Sequence, residues 1–146
     1  MTTTIFFDMD GTIADLYGVE NWLDYLTASD TLPYKIAKPL VRLNSLARIL
    51  NKLQKNGYRI GIISWLSKNG TEDYNKAVTE TKINWLKKHL ASVNFDEINI
   101  VEYGTPKQLF AKTKNDILFD DEAKNRNNWT GTAFDVNEIL EILKKM

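Results

Sequence analysis

The sequence predicts an α/β fold, a three-layer sandwich built on a five-stranded parallel sheet with a reduced helical cap. Three observations point to it. Short apolar runs alternate with longer segments of helical period, which is the pattern of βαβ units. Several of these runs are continuously apolar, as in TIFF and IGII, and so suit strands covered by helices on both faces. The residues that close the first and fourth runs are acids, and open parallel sheets gather their functional groups at such strand ends.

Taken in order, the first strand is read over Thr4 to Asp8 (TIFFD). The next segment, Leu16 to Leu40, is too long for a simple loop and carries Val19, Trp22, Leu23 and Leu26 at helical spacing. It is assigned to a small cap inserted into one domain that spans residues 1–146. A crossover helix over Val41 to Lys55 places Leu46, Ile49, Leu50 and Leu53 on one face, with Gly57 positioned to stop it. The second strand is Tyr58 to Ser64. The helix from Glu72 to Leu90 sets Tyr74, Ala77, Val78, Thr81 and Trp85 along one side. Three further strands are read over Glu97 to Val101, Asp116 to Asp121 and Thr132 to Asp135. The last helix starts near Asp135, which with Glu138 resembles a capping box, and continues through Ile139, Leu140 and Leu143.

The length of 146 residues suits one domain with a real core, since a chain of this size buries roughly two-thirds of its unfolded surface. There is no cysteine and one histidine, His89, which excludes a disulfide framework, a thiolate metal site and a multi-histidine zinc site. No apolar run approaches the roughly 20 residues that span a bilayer. The N-terminus MTTTIFFDMD lacks the basic region and long apolar stretch of a secretory leader. A cytoplasmic protein with no membrane partner is expected. Formal net charge is zero, but residues 1–30 hold six acids and no Lys or Arg. Residues 31–71 hold eight bases (Lys35, Lys38, Arg42, Arg48, Lys52, Lys55, Arg59, Lys68) and no acid. This segregation reads either as an acidic centre beside a basic flank, suited to a metal and an anionic substrate, or as a solvated basic helix face.

The polar residues at the strand ends form a coherent set: Asp8-Met9-Asp10-Gly11-Thr12 after the first strand, Ser64 and Trp65 after the second, Asp120-Asp121 after the fourth, and Lys107 ahead of it. Neighbouring carboxylates repel one another, so this edge favours a divalent cation, and oxygen-only ligands point to Mg²⁺. An Asp held against a phosphoryl group can act as a covalent nucleophile, while a second carboxyl two residues on protonates the leaving oxygen and later activates water. Gly11 permits the sharp turn that leaves both carboxylates at the sheet edge, with Thr12 beside it in a supporting role. Ser64, the Trp65 backbone N–H and Lys107 would stabilise the phosphoryl oxygens. Considered alone, Lys107 after Thr105-Pro106 is an ordinary helix-start lysine; only the constellation raises it. The Trp65 ring reads as a platform for a substrate base or as local packing, and Trp22, Tyr17 and Tyr25 as a small lid or as core. Trp85 and Trp129 are read as core and His89 as a surface residue.

These residues carry a resemblance. IFFDMDGT, then Ser64 after IGII, then Lys107, then ILFDD resemble the four ordered motifs of the haloacid-dehalogenase-like phosphohydrolases, over nearly the whole chain. The resemblance implies a Rossmann-like core, an aspartyl-phosphate on Asp8 and an acid/base role for Asp10. It also implies Mg²⁺ bound by the Asp8 carboxylate, the Asp10 backbone carbonyl and Asp121, with Asp120 supporting, as by orienting Lys107. Dehalogenation needs no acid, and the ion pumps of this superfamily carry Thr at the position of Asp10, so Asp10 argues for hydrolysis of a phosphate ester. Open sites in the superfamily tend to serve bulky substrates such as nucleotides and nucleic-acid ends. ILFDD followed by Asn125 and Trp129 also looks like the corresponding region of deoxyribonucleotidases and polynucleotide phosphatases. A nucleoside monophosphate is therefore the favoured substrate and a 3′-phosphorylated nucleic acid the second.

Readings from other classes fit less well. A phosphoacceptor receiver domain uses similar groups in another order, with the acid pair first. A nucleotide-binding P-loop needs GxxxxGK[ST], which is absent. A catalytically silent binding relative would have little use for the complete set of residues.

Overall fold

Residues 2–146 are described by a computed structural model. The five sheet strands are β1 (Thr4–Phe7), β4 (Arg59–Trp65), β5 (Glu97–Val101), β6 (Ile117–Phe119) and β7 (Thr132–Phe134). They pair in the order β5-β4-β1-β6-β7, and every pairing is parallel. The two remaining strands, β2 (Ala14–Asp15) and β3 (Lys38–Pro39), form a separate antiparallel pair. Helices are α1 (Trp22–Thr27), α2 (Leu32–Ile36), α3 (Leu43–Lys55), α4 (Glu72–His89), α5 (Ala123–Asn128) and α6 (Ile139–Lys144). The five sheet strands fall on the expected segments: β5 matches its segment, β1, β6 and β7 are shorter by one or two residues at an end, and β4 is shifted by one residue to end at Trp65.

Strand β1 lies at the centre and is buried along its whole length, as its apolar run requires. Its alternation divides the core. Ile5 and Phe7 face one layer, where Leu46, Leu50 and Leu53 of α3, Trp85 and Leu86 of α4, and Ile139 and Leu143 of α6 close over the sheet. Phe6 packs on the other face with Ile63, Leu118 and Trp129. The second outer layer is thin, made of α5 and a 3₁₀ turn over Lys107–Phe110. Where a helix starting at Lys107 was expected, the chain makes only this single tight turn. Gly57 ends α3 with φ +97°, a left-handed conformation suited to glycine. Asp135 caps the turn before α6 by accepting from the Val136 N–H at 2.7 Å; the expected partner, Glu138, has no part in the cap.

The strand order places a topological switch at β1. The chain builds outwards through β4 to β5, then returns across the sheet to β6 and β7 on the other side. Ligand crevices in open α/β sheets lie outside the carboxyl ends of strands at such a switch. The register aligns these ends: Phe7 pairs with Ile62 on one side and with Phe119 on the other, and the Asp8 N–H continues the ladder to the Phe119 carbonyl at 2.9 Å.

The segment assigned to a cap rises from this same edge, and β2 and β3 pinch its two ends together. Within it, α2 is anchored, because Tyr34 packs with Leu16, Tyr74 and Val78. Helix α1 is held more lightly: none of its residues is buried, though Leu26 packs against the same cluster, and left-handed Asn21 (φ 60°) and Ser29 (φ 59°) flank it. Among the described residues no helix is long and apolar enough to cross a membrane.

Candidate active site

The chain leaves β1 at Asp8 and folds into a tight turn, with the N–H groups of Thr12, Ile13 and Ala14 all bonded to the Met9 carbonyl at 3.0 Å. Gly11 sits in it at φ +79°, and a Cβ there would lie 2.4 Å from Asp121 Oδ2. Glycine is needed twice, for the turn and to let Asp121 approach. Thr12 turns back to donate to Asp8 Oδ2 at 2.9 Å and reaches Asp121 Oδ1 at 3.5 Å.

Asp8 is nearly buried, and its other oxygen accepts from Lys107 Nζ at 2.8 Å. The same ammonium holds Asp120 Oδ2 at 2.7 Å. Burial works against a charge on Lys107, but Asp8 and Asp120 outweigh it and raise its pKa, so the ammonium persists. Asp120 is fully engaged: Oδ2 also accepts from Asn125, and Oδ1 from the Glu122 N–H. Burial and the charge of Asp8 raise its pKa against the pull of Lys107.

Asp121 differs. Its carboxylate lies against that of Asp8, and the Thr12 hydroxyl reaches Oδ1 at 3.5 Å. Burial and then Asp8 push its pKa up to about 8. Oxygens of Asp8, Asp120 and Asp121 lie within 4.8 Å of one another. A carboxylate pressed against another with no cation beside it fits a divalent ion, and the all-oxygen donor set suits Mg²⁺. Asp120 already accepts three hydrogen bonds, from Lys107, Asn125 and the Glu122 N–H, against two on Asp8 and a single long one on Asp121, so Asp8 and Asp121 are the carboxylates better placed to hold an ion.

Asp10 lies two residues on. Burial raises its pKa, with Lys82 opposing. That lysine is absent from the expected site. It projects from α4, is 1% exposed, and donates to Asp10 Oδ2 at 2.8 Å, Ser64 Oγ at 2.7 Å and the Trp65 carbonyl at 2.6 Å. A signal for it exists in the sequence. The buried stripe of α4 runs Tyr74, Val78, Lys82, Trp85 and Leu86, so Lys82 falls at helical spacing within an apolar face.

A cavity of roughly 340 Å³ opens above these groups, lined by Asp8, Asp10, Lys107, Asp120 and Asp121 at its base. One wall comes from the cap, through Leu16, Tyr17, Trp22, Leu26 and Tyr34. The opposite wall holds Trp65, whose Nε1 donates to the Thr105 carbonyl at 2.8 Å and whose ring meets Tyr103 at 5.1 Å. Two expectations are corrected. Ser64, expected to face a phosphate, is fully buried with its hydroxyl on Lys82 and does not line the cavity. Of the eight bases in residues 31–71, only Lys68 lines it. Arg59 stands at the opposite end of β4 and pairs with Asp96 and Glu97. Trp85 and Trp129 are buried as expected, and His89 lies against Trp85 with ring centroids 4.4 Å apart and the planes tilted by 42°.

A parallel five-stranded sheet with this order and an acid-lined edge at the switch is the Rossmann-like α/β core that the sequence predicts. Among solved structures, the chain is similar to D,D-heptose 1,7-bisphosphate phosphatase from Burkholderia thailandensis, with TM-score 0.53 and 14% identity over 86% of this chain and 70% of that one. No protein-family model matches the sequence, and no curated protein is similar to it.

Proposed function

We propose that the protein is a Mg²⁺-dependent phosphomonoester hydrolase that acts through an aspartyl-phosphate on Asp8, with a nucleoside monophosphate as substrate. The observation that carries this reading is the state of Asp8. One oxygen is held by Lys107 at 2.8 Å and the other by Thr12 at 2.9 Å, which fixes the carboxylate at the base of a cavity of substrate size. A nucleophile so oriented has already given up the rotational freedom that attack would cost.

In this reading an Asp8 oxygen forms the new bond to phosphorus as the ester P–O bond breaks, and Asp10 gives its proton to the departing oxygen. Asp10 then takes a proton from the water that hydrolyses the acyl-phosphate. Burial keeps its pKa above the usual carboxylate range, which favours the protonated form the first step needs. Lys107, on Asp8 and Asp120, leaves one of its three N–H groups for a phosphoryl oxygen. Asp8, Asp121 and the Asp10 carbonyl would hold Mg²⁺, which supplies charge neutralisation for the phosphoryl oxygens.

The nucleotide is favoured by the walls. Two aromatic pairs, Trp65 with Tyr103 and Tyr17 with Trp22, line the cavity, which lies within the range of about 300–1,000 Å³ common for small ligands. A 3′-phosphorylated nucleic acid is the second reading, but the bases that would track its backbone are absent from the rim apart from Lys68. Segment 16–40 would serve as a small lid over the substrate. The test is phosphate release from p-nitrophenyl phosphate, a mononucleotide panel and end-phosphorylated oligonucleotides, with Mg²⁺ or EDTA, by wild type and Asp8→Asn. Metal-dependent turnover of a mononucleotide that vanishes in Asp8→Asn is expected. Turnover that survives Asp8→Asn would remove the covalent mechanism, and turnover of oligonucleotides alone would remove the substrate.

A further inference from the structure

Two buried lysines meet the acidic edge, and they differ in what they have left to give. Lys107 bonds two carboxylates. Lys82 has all three N–H groups committed, to Asp10 Oδ2, Ser64 Oγ and the Trp65 carbonyl, at 2.6–2.8 Å. An ammonium has three donors and no more, so Lys82 has none for a phosphate. Its reach is fixed from below, since Val78 and Trp85 on either side of it along α4 are buried, and from above by the Tyr34 ring, whose centroid lies 5.0 Å from Nζ.

Asp10, for its part, projects from the irregular turn after β1, and Lys82 is its one side-chain hydrogen-bond partner among the described residues. The other anchors of Lys82, Ser64 and the Trp65 carbonyl, belong to the end of β4. The ammonium therefore ties the Asp10 carboxyl to the rigid edge of the sheet through Oδ2 and leaves Oδ1 without a partner, with Asp10 lining the cavity.

We propose that Lys82 is a positioning residue for the acid/base carboxyl of Asp10, clamping Oδ2 so that Oδ1 meets the leaving-group oxygen. This rests on the acid/base role for Asp10 given above. Ester cleavage then forms the Asp8–phosphorus bond, breaks the bond from phosphorus to the leaving oxygen, and moves one proton from Asp10 to that oxygen. Ser64, in turn, acts through Lys82 as its hydrogen-bonded anchor.

The test uses leaving groups of graded quality, because a positioned acid matters most where the leaving group is poor. Steady-state kcat/KM is measured for p-nitrophenyl phosphate and for phenyl phosphate, with wild type, Asp10→Asn and Lys82→Met. General-acid catalysis contributes about 10²–10⁴-fold, so in Lys82→Met the phenyl ester is expected to slow on the order of 10²-fold and the p-nitrophenyl ester by less than about tenfold. Comparing two substrates in one preparation cancels any unfolded fraction. If Lys82→Met does not fold, Lys82→Gln, which keeps an N–H donor at the end of a shorter chain, is read in the same way.

A common loss for both esters, with Asp10→Asn selective for the poor leaving group, would overturn the inference and make Lys82 a structural residue only. Equal losses in Asp10→Asn would instead remove Asp10 as the acid and the inference with it. Absence of turnover by wild type on both esters and on the nucleotide panel would fall on the phosphatase reading.

Discussion

Asp121→Asn should stabilise the metal-free protein. In the folded chain burial and the charge of Asp8 raise the Asp121 pKa from 3.8 to about 8, so the native state holds a proton that the unfolded chain releases above its ordinary value. Stability linked to this group is intact below about pH 4. It falls as pH rises, because the unfolded state then binds fewer protons, and the loss is complete above about pH 8. A shift of that size corresponds nominally to about 5–6 kcal/mol, which solvent contact on the half-buried carboxylate screens to about 2 kcal/mol. Asparagine at this position cannot ionise and removes the repulsion. Thermal unfolding in EDTA at pH 8 should then give a Tm higher than wild type by ~4–8 °C, with the two proteins converging at pH 4. Adding Mg²⁺ should raise the wild-type Tm and leave Asp121→Asn nearly unmoved, since ligand stabilisation requires the ligand's donors. A variant no more stable than wild type at pH 8, or equally displaced at both pH values, would refute the reasoning.

Other perturbations separate scaffold from site. Asp116 is fully buried and accepts from the N–H groups of Thr4, Lys112 and Thr113 and from the Thr113 hydroxyl at 2.7–3.1 Å. Asp116→Ala leaves these donors unpaired and should cost about 3–4 kcal/mol in urea unfolding. Burial opposes its charge but the hydrogen bonds prevail and lower its pKa, so its contribution is present above the ordinary carboxylate range and lost as pH falls below it. Trp22→Ala removes one wall of the cavity from a helix that buries none of its residues. It should raise KM for a mononucleotide by about tenfold, the equivalent of ~1.4 kcal/mol of apolar contact, while leaving Tm and the turnover of acetyl phosphate close to wild type.

Much of the fold and the acidic edge was legible in the sequence because it is written locally. Apolar runs such as TIFF and IGII mark buried strands wherever they lie, and residues at their carboxyl ends share one edge of a parallel sheet. That placed Asp8, Asp10, Asp120 and Asp121 together before any contact was known, with Lys107 raised only by their company, and left Gly11 the turn it makes at φ +79°. The long-range choices were not written there. Lys82 sits amid Lys76, Lys87 and Lys88 on a helix rich in polar residues; its spacing marks the buried face, but only the packing of α4 against the end of β4 decides that its ammonium lands on Asp10. The same holds for the eight bases before residue 72. Their clustering in the chain reads equally as a basic flank to the site or as a solvated helix face, and the fold has α3 carry three of them along the sheet and Arg59 open β4 at the end remote from the site. Sequence neighbourhood fixes charge along a line, whereas the crossover that returns each helix across the sheet decides which charges meet. Hence the Asp8 carboxylate was a property of one strand and its turn, and its electrostatic surroundings a property of five.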